Sequence, residues 1–323
     1  MGHTPRRLRN HVTGLAAVHM HDDKTYLKRA AGDEGQSMLA ETIEFETRDL
    51  KPLIGAEISA DKDTLLSGKY ATRIRELLEQ RSVLFFPQVG FTDDEQSAFT
   101  RTLGTQASEY NGRPSEGGSL QPIFKVSLDK NVNPLAAEGL KSSFYWHLDG
   151  SLHETPILAS LLTPAKLSPT GGQTEWCNTY AAYDALSEDD KKSLEGLKAV
   201  HANWQRDSFV YPEPSYEHFK AASSAVPDRE QPLVWKHRSG RKSLVIGLTA
   251  AYVVGMAPRE SRDLLIRLRD WATQPRFVYH HEWTMGDLVM WDNTGTLHRA
   301  LPYDADSGRL MIRTMLAGEE AFA

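Results

Sequence analysis

The sequence has 323 residues, of which 40% are hydrophobic and 25% are charged, so the chain can bury a core without the help of disulfides. The 37 Lys and Arg residues against 43 Asp and Glu residues give a net charge of −6, which argues against nucleic acid as a partner. The single cysteine, Cys177, excludes an internal disulfide and a cysteine metal cluster, and it favours a reducing, cytoplasmic location. Apolar runs such as residues 82–86 are far shorter than the roughly 18 residues that cross a bilayer, so we expect no membrane partner.

The first 45 residues mix basic and acidic side chains. Arg6 and Arg7 lie near the start, but no apolar segment follows them, and Asp22 and Asp23 come soon after. This composition argues against a secretory signal or a transit peptide. We expect an arm over residues 1–45 that is flexible or contacts another subunit of a homo-oligomer, either a dimer or a tetramer.

The segment after residue 50 predicts the order strand, helix, strand, helix. Residues 52–58 read as a short strand, and apolar side chains at helical spacing predict a helix over 64–81. Residues 82–86 form a compact apolar run that suits a buried strand. Thr92, followed three residues later by Glu95, has the capping signature of a helix that continues to about Leu103.

Beyond Gly104 the sequence predicts a loop over 108–120 and then many short strands separated by turns. The predicted strands are 121–128, 143–149, 157–163, 173–178, 197–204, 232–237, 243–248, 276–283, 287–292 and 309–316. Two helices interrupt them, one capped by Ser187 and one over 258–273, and residues 239–242 resemble a hairpin turn. Such a series is typical of a β-sandwich or barrel, so we predict one mainly β domain with helical insertions over 46–323.

His147 and Asp149 are the first candidates for chemistry. In a strand, side chains two residues apart lie on the same face, so both would point into one cavity. A His-x-Asp pair also occurs by chance, and the pair needs a third ligand. His298, after the apolar strand 287–292, could complete a set of two histidines and one carboxylate, which is typical of non-haem Fe(II) oxygenases. The same three ligands with a water also suit a catalytic zinc ion.

Arg309 and Arg313 share one face of the predicted C-terminal strand. Two arginines in an otherwise apolar strand need anionic partners, such as a ligand or core carboxylates, unless they face solvent on an edge strand. A guanidinium group suits a carboxylate in bidentate geometry, so an arginine near such a metal would also suit a dicarboxylate cosubstrate.

Several motifs together resemble one enzyme family. They are His147-x-Asp149, Gly-Gly-Gln-Thr at 171–174, residues 181–187, residues 286–293, His298-Arg299-Ala300 and Arg309. In this order they resemble the Fe(II)/2-oxoglutarate dioxygenases of the taurine dioxygenase and 2,4-dichlorophenoxyacetate dioxygenase (TauD/TfdA) family, from about residue 50 to the C-terminus.

The resemblance implies a double-stranded β-helix, or jelly roll, with Fe(II), 2-oxoglutarate and O2 as cofactor and cosubstrates. It implies that His147, Asp149 and His298 bind the iron, and that Arg309 and Thr174 hold the C5 carboxylate of 2-oxoglutarate. Arg313 matches a position that often holds an anionic group of the substrate. The expected reaction is hydroxylation of a small carboxylate or sulfonate, with release of succinate and CO2 and, beside a heteroatom, cleavage of a C–S, C–O or C–N bond.

The substrate itself does not follow from the resemblance, because residues 105–130 and 150–153 match no substrate-specific pattern. Trp146 and Tyr110 are candidate walls of the substrate site, with plain packing as the alternative for both. Asp149 retains the carboxylate that halogenating relatives lack, which disfavours halogenation. Two other functions stay open at this stage: a zinc hydrolase with the same triad, and a non-catalytic jelly-roll protein that binds a carboxylate.

Overall fold

The computed structural model describes residues 45–108, 122–134 and 136–323. The predicted arm over 1–45, apart from Phe45, and most of the predicted loop over 108–120 lie outside these residues. The strands are β1 Glu46–Asp49, β2 Ala56–Ser59, β3 Val83–Phe86, β4 Phe124–Val126, β5 Ala159–Lys166, β6 Thr174–Asn178, β7 Lys198–His201, β8 Arg229–Pro232, β9 Val234–Lys236, β10 Lys242–Leu244, β11 Ala250–Val253, β12 Val278–His281, β13 Leu288–Asp292, β14 Thr296–Ala300 and β15 Leu310–Leu316.

Helices alternate with these strands. The α-helices are α1 Lys62–Leu66, α2 Ala71–Arg81, α3 Asp93–Leu103, α4 Thr179–Asp184, α5 Glu188–Leu194, α6 Asn203–Asp207, α7 Tyr216–Ala225 and α8 Pro258–Ala272. Short 3-10 helices cover Gly139–Phe144, Pro275–Phe277 and Ala305–Ser307. Helices and strands take up similar shares of the described chain, so the fold is mixed α/β with several antiparallel sheets rather than mainly β. No helix within the described residues is long and apolar enough to span a membrane.

The largest sheet has seven strands in the order β1-β2-β3-β13-β5-β15-β4, and only the β2–β3 pair is parallel. Its outer face is covered by α1, α2 and α3, which bury Leu65, Leu77 and Phe99 against Leu84 and Met290 of the sheet. Because side chains alternate between the two faces of a strand, every second side chain of this sheet points away from these helices.

The opposite face packs against a three-stranded sheet in the order β12-β6-β14. Side chains of both sheets meet in one buried cluster, which includes Trp176 of the smaller sheet and Val289, Trp291 and Met311 of the larger one. We call the space between these two sheets the interior. The outer face of the smaller sheet is covered in turn by α4 and α8, which bury Cys177 and Leu297.

A second three-stranded sheet, β11-β7-β8, and the β9–β10 hairpin lie beside this core. The hairpin confirms the predicted turn at 239–242. The capping box of Thr92 with Glu95 and the helix start at Pro258 are also confirmed.

Two predicted elements are wrong. The helix expected over 64–81 is split into α1 and α2 around Gly68, whose φ of 72° is a left-handed conformation that glycine adopts at little cost. The strand expected over 143–149 does not form, because a 3-10 helix ends at Phe144 and only His147 makes a β-bridge, to His298. Gly150, with a φ of 84°, then turns the chain directly after Asp149.

Candidate active site

The nitrogen and oxygen atoms of His147, Asp149 and His298 that could bind a metal lie within 4.8 Å of one another. His298 is in β14, and the backbone N–H of His147 donates to its carbonyl at 3.0 Å, with the reciprocal bond at 2.9 Å. This two-bond bridge fixes the first histidine against the second. The convergence of His147 and Asp149 predicted from their spacing is therefore present, although a turn rather than a strand produces it.

The orientation of each imidazole follows from its hydrogen bonds. Nδ1 of His147 donates to the Tyr145 carbonyl at 2.8 Å, because a carbonyl only accepts, and this leaves Nε2 as the ligand atom. That Nε2 lies 3.9 Å from Oδ1 of Asp149, and Nε2 of His298 lies 3.3 Å from Oδ2. One carboxylate thus lies between two imidazole nitrogens.

The protonation states also suit metal binding. Burial, together with the neighbouring His298, lowers the pKa of His147 to about 3, so its imidazole is neutral near neutral pH. Burial alone would raise the pKa of Asp149, but the positive charge of Arg313 and the interactions with His298 and His147 together outweigh burial and hold the pKa of the carboxyl well below its usual range. Neutral imidazoles and an ionised carboxylate are the forms that bind metals. Nδ1 of His298 is buried and has no hydrogen-bond partner within the described residues.

Arg313 extends from β15 into the interior beside this triad. Its Nη2 donates to Oδ2 of Asp149 at 2.5 Å and to Oγ of Ser160 at 2.8 Å, and the residue is 5% exposed. The sequence left solvent, a core carboxylate and a ligand open for Arg313, and the structure shows a core carboxylate, that of Asp149. Ser160, on β5, had no signal in the sequence.

Arg309 lies just before β15 and is 3% exposed. Its Nη2 donates to the carbonyl of Gly172 at 2.9 Å, and its guanidinium carbon lies 4.6 Å from the centre of the Tyr303 ring. Its Nε has no partner, and no carboxylate of the described residues lies within ion-pair distance. A buried guanidinium group without a counter-charge is costly, which makes this position suited to a ligand carboxylate.

Thr174 begins β6 on the face that points to the interior. It is opposite Ala300 in the β6–β14 ladder, just as Trp176 is opposite His298. Its Oγ1 accepts a hydrogen bond from Nε1 of Trp283 at 2.9 Å. Because Gly172, two residues earlier, accepts from Arg309, residues 172–174 bring both predicted cosubstrate residues to one end of the same strand.

Glycine is required at position 172. A Cβ atom there would lie 2.8 Å from Nε of Arg309, and φ is 79°. The Gly-Gly pair that contributes to the sequence motif therefore allows the arginine side chain to lie directly against the backbone. Tyr303, which flanks the same guanidinium group, was missed by the sequence analysis, because no spacing links it to Arg309.

The two candidate substrate walls have different outcomes. Tyr110 lies outside the described residues. The ring of Trp146 packs with Cys177 and Leu297 on the outer face of the smaller sheet, away from the interior, and Arg299 lies 4.6 Å from its centre. Trp146 also lines a cavity of about 370 Å³ between that sheet and α8. Its contacts are those of a packing residue, which is the alternative given above, and a place in a substrate wall stays a prediction.

Comparisons with known proteins place this site in context. The family model described as taurine catabolism dioxygenase TauD, TfdA family matches residues 46–315. The alpha-ketoglutarate-dependent 2,4-dichlorophenoxyacetate dioxygenase of Cupriavidus pinatubonensis is 38% identical over 274 residues, which cover 82% of this chain and 94% of the relative. The (S)-phenoxypropionate/alpha-ketoglutarate-dioxygenase of Sphingobium herbicidovorans is 33% identical over 287 residues, which cover 86% of this chain and 96% of the relative.

A solved structure shows the same likeness. The crystal structure of AAD-2 in complex with Mn(II) and N-oxalylglycine has a TM-score of 0.72 at 31% identity, and the match covers 86% of this chain and 99% of that one. These comparisons set aside the zinc hydrolase and the non-catalytic binding protein. The chain belongs to the taurine catabolism dioxygenase TauD, TfdA family and is an Fe(II)- and 2-oxoglutarate-dependent dioxygenase.

Proposed function

We propose that this enzyme hydroxylates a small organic carboxylate at the carbon that bears an ether oxygen, with Arg313 as the residue that selects for an anion. The observation that carries the proposal is the buried guanidinium group of Arg313, 2.5 Å from the carboxylate of the metal triad. A cation held this close to the reacting centre favours substrates whose negative charge lies near the bond to be oxidised.

In this proposal His147, Asp149 and His298 hold the iron. The donor set fits, because the ligand atoms of two imidazoles and one carboxylate lie within 4.8 Å of one another, and such a set binds Fe(II) with positions left for other ligands. When bound, iron supplies the oxidising chemistry with 2-oxoglutarate and O2, and the cosubstrate is released as succinate and CO2. The protein fixes the ligands: Tyr145 sets the tautomer of His147, and the backbone bridge to His298 sets their spacing.

Arg309 and Thr174 are proposed to bind the distal carboxylate of 2-oxoglutarate. Arg309 offers Nε, which has no protein partner, and a guanidinium plane fixed by Gly172 and Tyr303. The Thr174 hydroxyl accepts from Trp283, so its own hydrogen can be donated to a carboxylate oxygen. Both residues are buried, which strengthens a charge-assisted hydrogen bond.

The role of Arg313 follows from the balance of charge. Without metal, Arg313 and Asp149 neutralise each other. A divalent metal shares the charge of Asp149, so the nearby guanidinium group then requires a further anion. The substrate carboxylate is the proposed anion, and it would place the adjacent C–H bond near the metal.

The names of the relatives guide the choice of substrate. Those of 2,4-dichlorophenoxyacetate and (S)-phenoxypropionate dioxygenases describe a carboxylate one carbon away from an ether oxygen. Hydroxylation of that carbon converts the C–H bond into C–OH and gives a hemiacetal, which then divides into a phenol and a 2-oxo acid. A relative named alpha-ketoglutarate-dependent sulfate ester dioxygenase makes sulfate esters and sulfonates the second class to examine.

The same proposal covers the architecture. We propose that the catalytic domain over 46–323 contains a double-stranded β-helix. Its two sheets would be the seven-stranded sheet and the β12-β6-β14 sheet, which face each other across the interior. A homo-oligomer remains our expectation, and light scattering on the purified enzyme would test it.

The test begins with an anaerobic titration of the metal-free enzyme with Fe(II) and then 2-oxoglutarate, in which the visible charge-transfer band of a chelated 2-oxo acid is followed. The band should appear in the wild type and weaken in His147→Ala and Arg309→Ala. Succinate release is then measured with aryloxyacetates and, as matched neutral compounds, their methyl esters. Acids should stimulate succinate release and esters should not. Equal stimulation by acid and ester would contradict the role of Arg313, and stimulation by sulfonates alone would exclude the ether carboxylates.

A further inference from the structure

A short segment outside the triad contacts both ends of the turn that carries two of the proposed metal ligands. We propose that residues 247–249, which we call the clamp, position His147 and Asp149 for metal binding, and that Thr249 is the decisive positioning residue. This inference rests on the proposed metal site. It assigns a function to residues that do not bind the metal themselves.

At its first end, the clamp lies against the backbone of His147. The N–H of Leu248 donates to the carbonyl of Trp146 at 2.9 Å. A Cβ atom at Gly247 would lie 3.1 Å from that carbonyl oxygen and 3.2 Å from Cα of His147, and φ of Gly247 is 121°. Glycine is therefore the residue that permits this close approach, because any side chain would press on the histidine backbone.

At its second end, the clamp is bonded to the residue that follows the Asp149–Gly150 turn. Oγ1 of Thr249 lies 2.8 Å from Oγ of Ser151, and both side chains are buried. The contacts of Leu248 and Thr249 thus enclose the turn from residue 146 to residue 151. They hold the backbone of Trp146 on one side of the carboxylate and the side chain of Ser151 on the other.

The clamp is in turn fixed to the β11-β7-β8 sheet. The N–H of Ala202 donates to the Thr249 carbonyl at 2.9 Å, and Nδ1 of the fully buried His201 lies 2.8 Å from Oγ1 of Thr249. On β8, Nε2 of Gln231 donates to the carbonyls of Ser151 at 3.1 Å and His153 at 2.9 Å. One sheet therefore holds the clamp and the end of the metal-binding turn together.

The turn needs this support because its residues belong to no helix or strand that would fix their backbone. Of residues 147–151, only His147 has a β-bridge, and Gly150 has a conformation that other residues avoid. A turn of this kind has alternative conformations, and metal ligands must be held within about 0.5 Å of a productive geometry. Hydrogen bonds behind the ligands typically contribute about 10-fold to 100-fold in metal affinity.

The experiment measures metal affinity without turnover. Mn(II) binding to the full-length, metal-free enzyme is followed by the loss of the free Mn(II) resonance in electron paramagnetic resonance, with and without N-oxalylglycine. The variants are Thr249→Val, which keeps the shape and removes the hydroxyl group, and Thr249→Ser, which restores it. The matched control is Thr100→Val, because Thr100 forms an equally buried hydroxyl pair at 2.7 Å with Thr314 on the opposite face of the large sheet.

We expect Thr249→Val to weaken Mn(II) binding by about 10-fold, Thr249→Ser to recover most of it, and Thr100→Val to bind as the wild type does. Melting temperatures of the two valine variants should fall by similar amounts, because each loses two buried hydrogen bonds: those of Thr249 to Ser151 and His201, and those of Thr100 to Gln96 and Thr314. A double-mutant cycle with Ser151→Ala should show that the two hydroxyl groups act on Mn(II) affinity as a unit rather than additively.

The outcomes separate this inference from the proposed function. If the wild type fails to bind Mn(II) with N-oxalylglycine, the proposed metal site is wrong. If the wild type binds and Thr249→Val binds equally well, the metal site stands and the clamp is overturned. Equal weakening in Thr249→Val and Thr100→Val would also overturn it, since that result reports a general loss of stability.

Discussion

Nη2 of Arg313 lies 2.5 Å from Oδ2 of Asp149, so the carboxylate of the triad is bonded to a buried cation as well as lying against two imidazoles. The pair is 164 residues apart in sequence and joins β15 to the turn after His147. Taking both charges out of water is costly, and each one depends on the other for compensation. The stability of the metal-free enzyme should therefore depend on this pair, and a bound metal should reduce that dependence.

We predict that Arg313→Gln lowers the free energy of unfolding of the metal-free enzyme by about 3 kcal/mol, because it leaves a buried carboxylate without its cation. Saturating Mn(II) should recover most of the loss by becoming the partner of Asp149. Urea unfolding with and without Mn(II) measures both values. Arg48→Gln is the control, since Arg48 forms a largely exposed pair with Glu57, and such pairs contribute about 1 kcal/mol or less. A loss in Arg313→Gln that Mn(II) leaves unchanged would show that the metal does not take over from the guanidinium group.

We predict that Arg309→Lys raises the KM for 2-oxoglutarate by about 10-fold or more, because lysine keeps the charge but loses the planar fork that binds a carboxylate through two bonds. Mn(II) affinity in the absence of cosubstrate should stay at the wild-type value. Succinate release at varied 2-oxoglutarate gives the KM. Arg276→Lys is the control, because the Arg276 guanidinium also stacks on an aromatic ring, 4.7 Å from the centre of Trp271, but is exposed. An unchanged KM in Arg309→Lys would place the cosubstrate carboxylate elsewhere.

We predict that Gly172→Ala acts on the same anchor through the backbone. The new Cβ would lie 2.8 Å from Nε of Arg309, so the guanidinium group must move and the KM for 2-oxoglutarate should rise. Gly196→Ala has a matched conformation, with a φ of 71° against 79°, but nothing lies within 4 Å of its Cβ position. Both variants carry the backbone strain of about 1 kcal/mol. Only Gly172→Ala should change the KM, and a matching rise in Gly196→Ala would assign the effect to strain instead.

Local signals account for what the sequence predicts well. Thr92 and Glu95 specify a helix start within four residues, and Pro258 does the same for α8. The continuous apolar run within 287–292 marks a strand whose two faces are both buried. The identity of the triad was also accessible, because ligand residue types in a fixed order resemble those of a known family.

The remaining features depend on partners that are distant in sequence. Nothing near His147 indicates that its backbone pairs with His298, and this bridge replaces the predicted strand. Arg313 could equally have faced solvent, and only the packing of β15 between β4 and β5 places it at Asp149. The clamp is the clearest case, because Gly247 and Thr249 belong to no motif and gain their meaning from residues about a hundred positions earlier.

We predict that His201 makes the stability of the metal-free enzyme depend on pH. Burial lowers the pKa of His201 to about 4, whereas a histidine in an unfolded chain titrates near 6.5. Because the folded state holds the neutral form, this contribution is complete above pH 6.5 and is lost as the pH falls towards 4. Between pH 7 and pH 5 the loss should be about 2 kcal/mol.

His201→Gln should remove that part of the pH dependence. Urea unfolding of both proteins at pH 7 and pH 5 gives the free energy of unfolding that each loses on acidification, and the two losses are compared. Some dependence should remain in the variant, because burial also lowers the pKa of His237 to about 4 and that of His147 to about 3. The variant should lose less stability than the wild type on acidification, even if it is less stable at both pH values. Equal losses in the two proteins would mean that His201 takes up its proton without unfolding, and its bond to Thr249 would then not require the neutral imidazole.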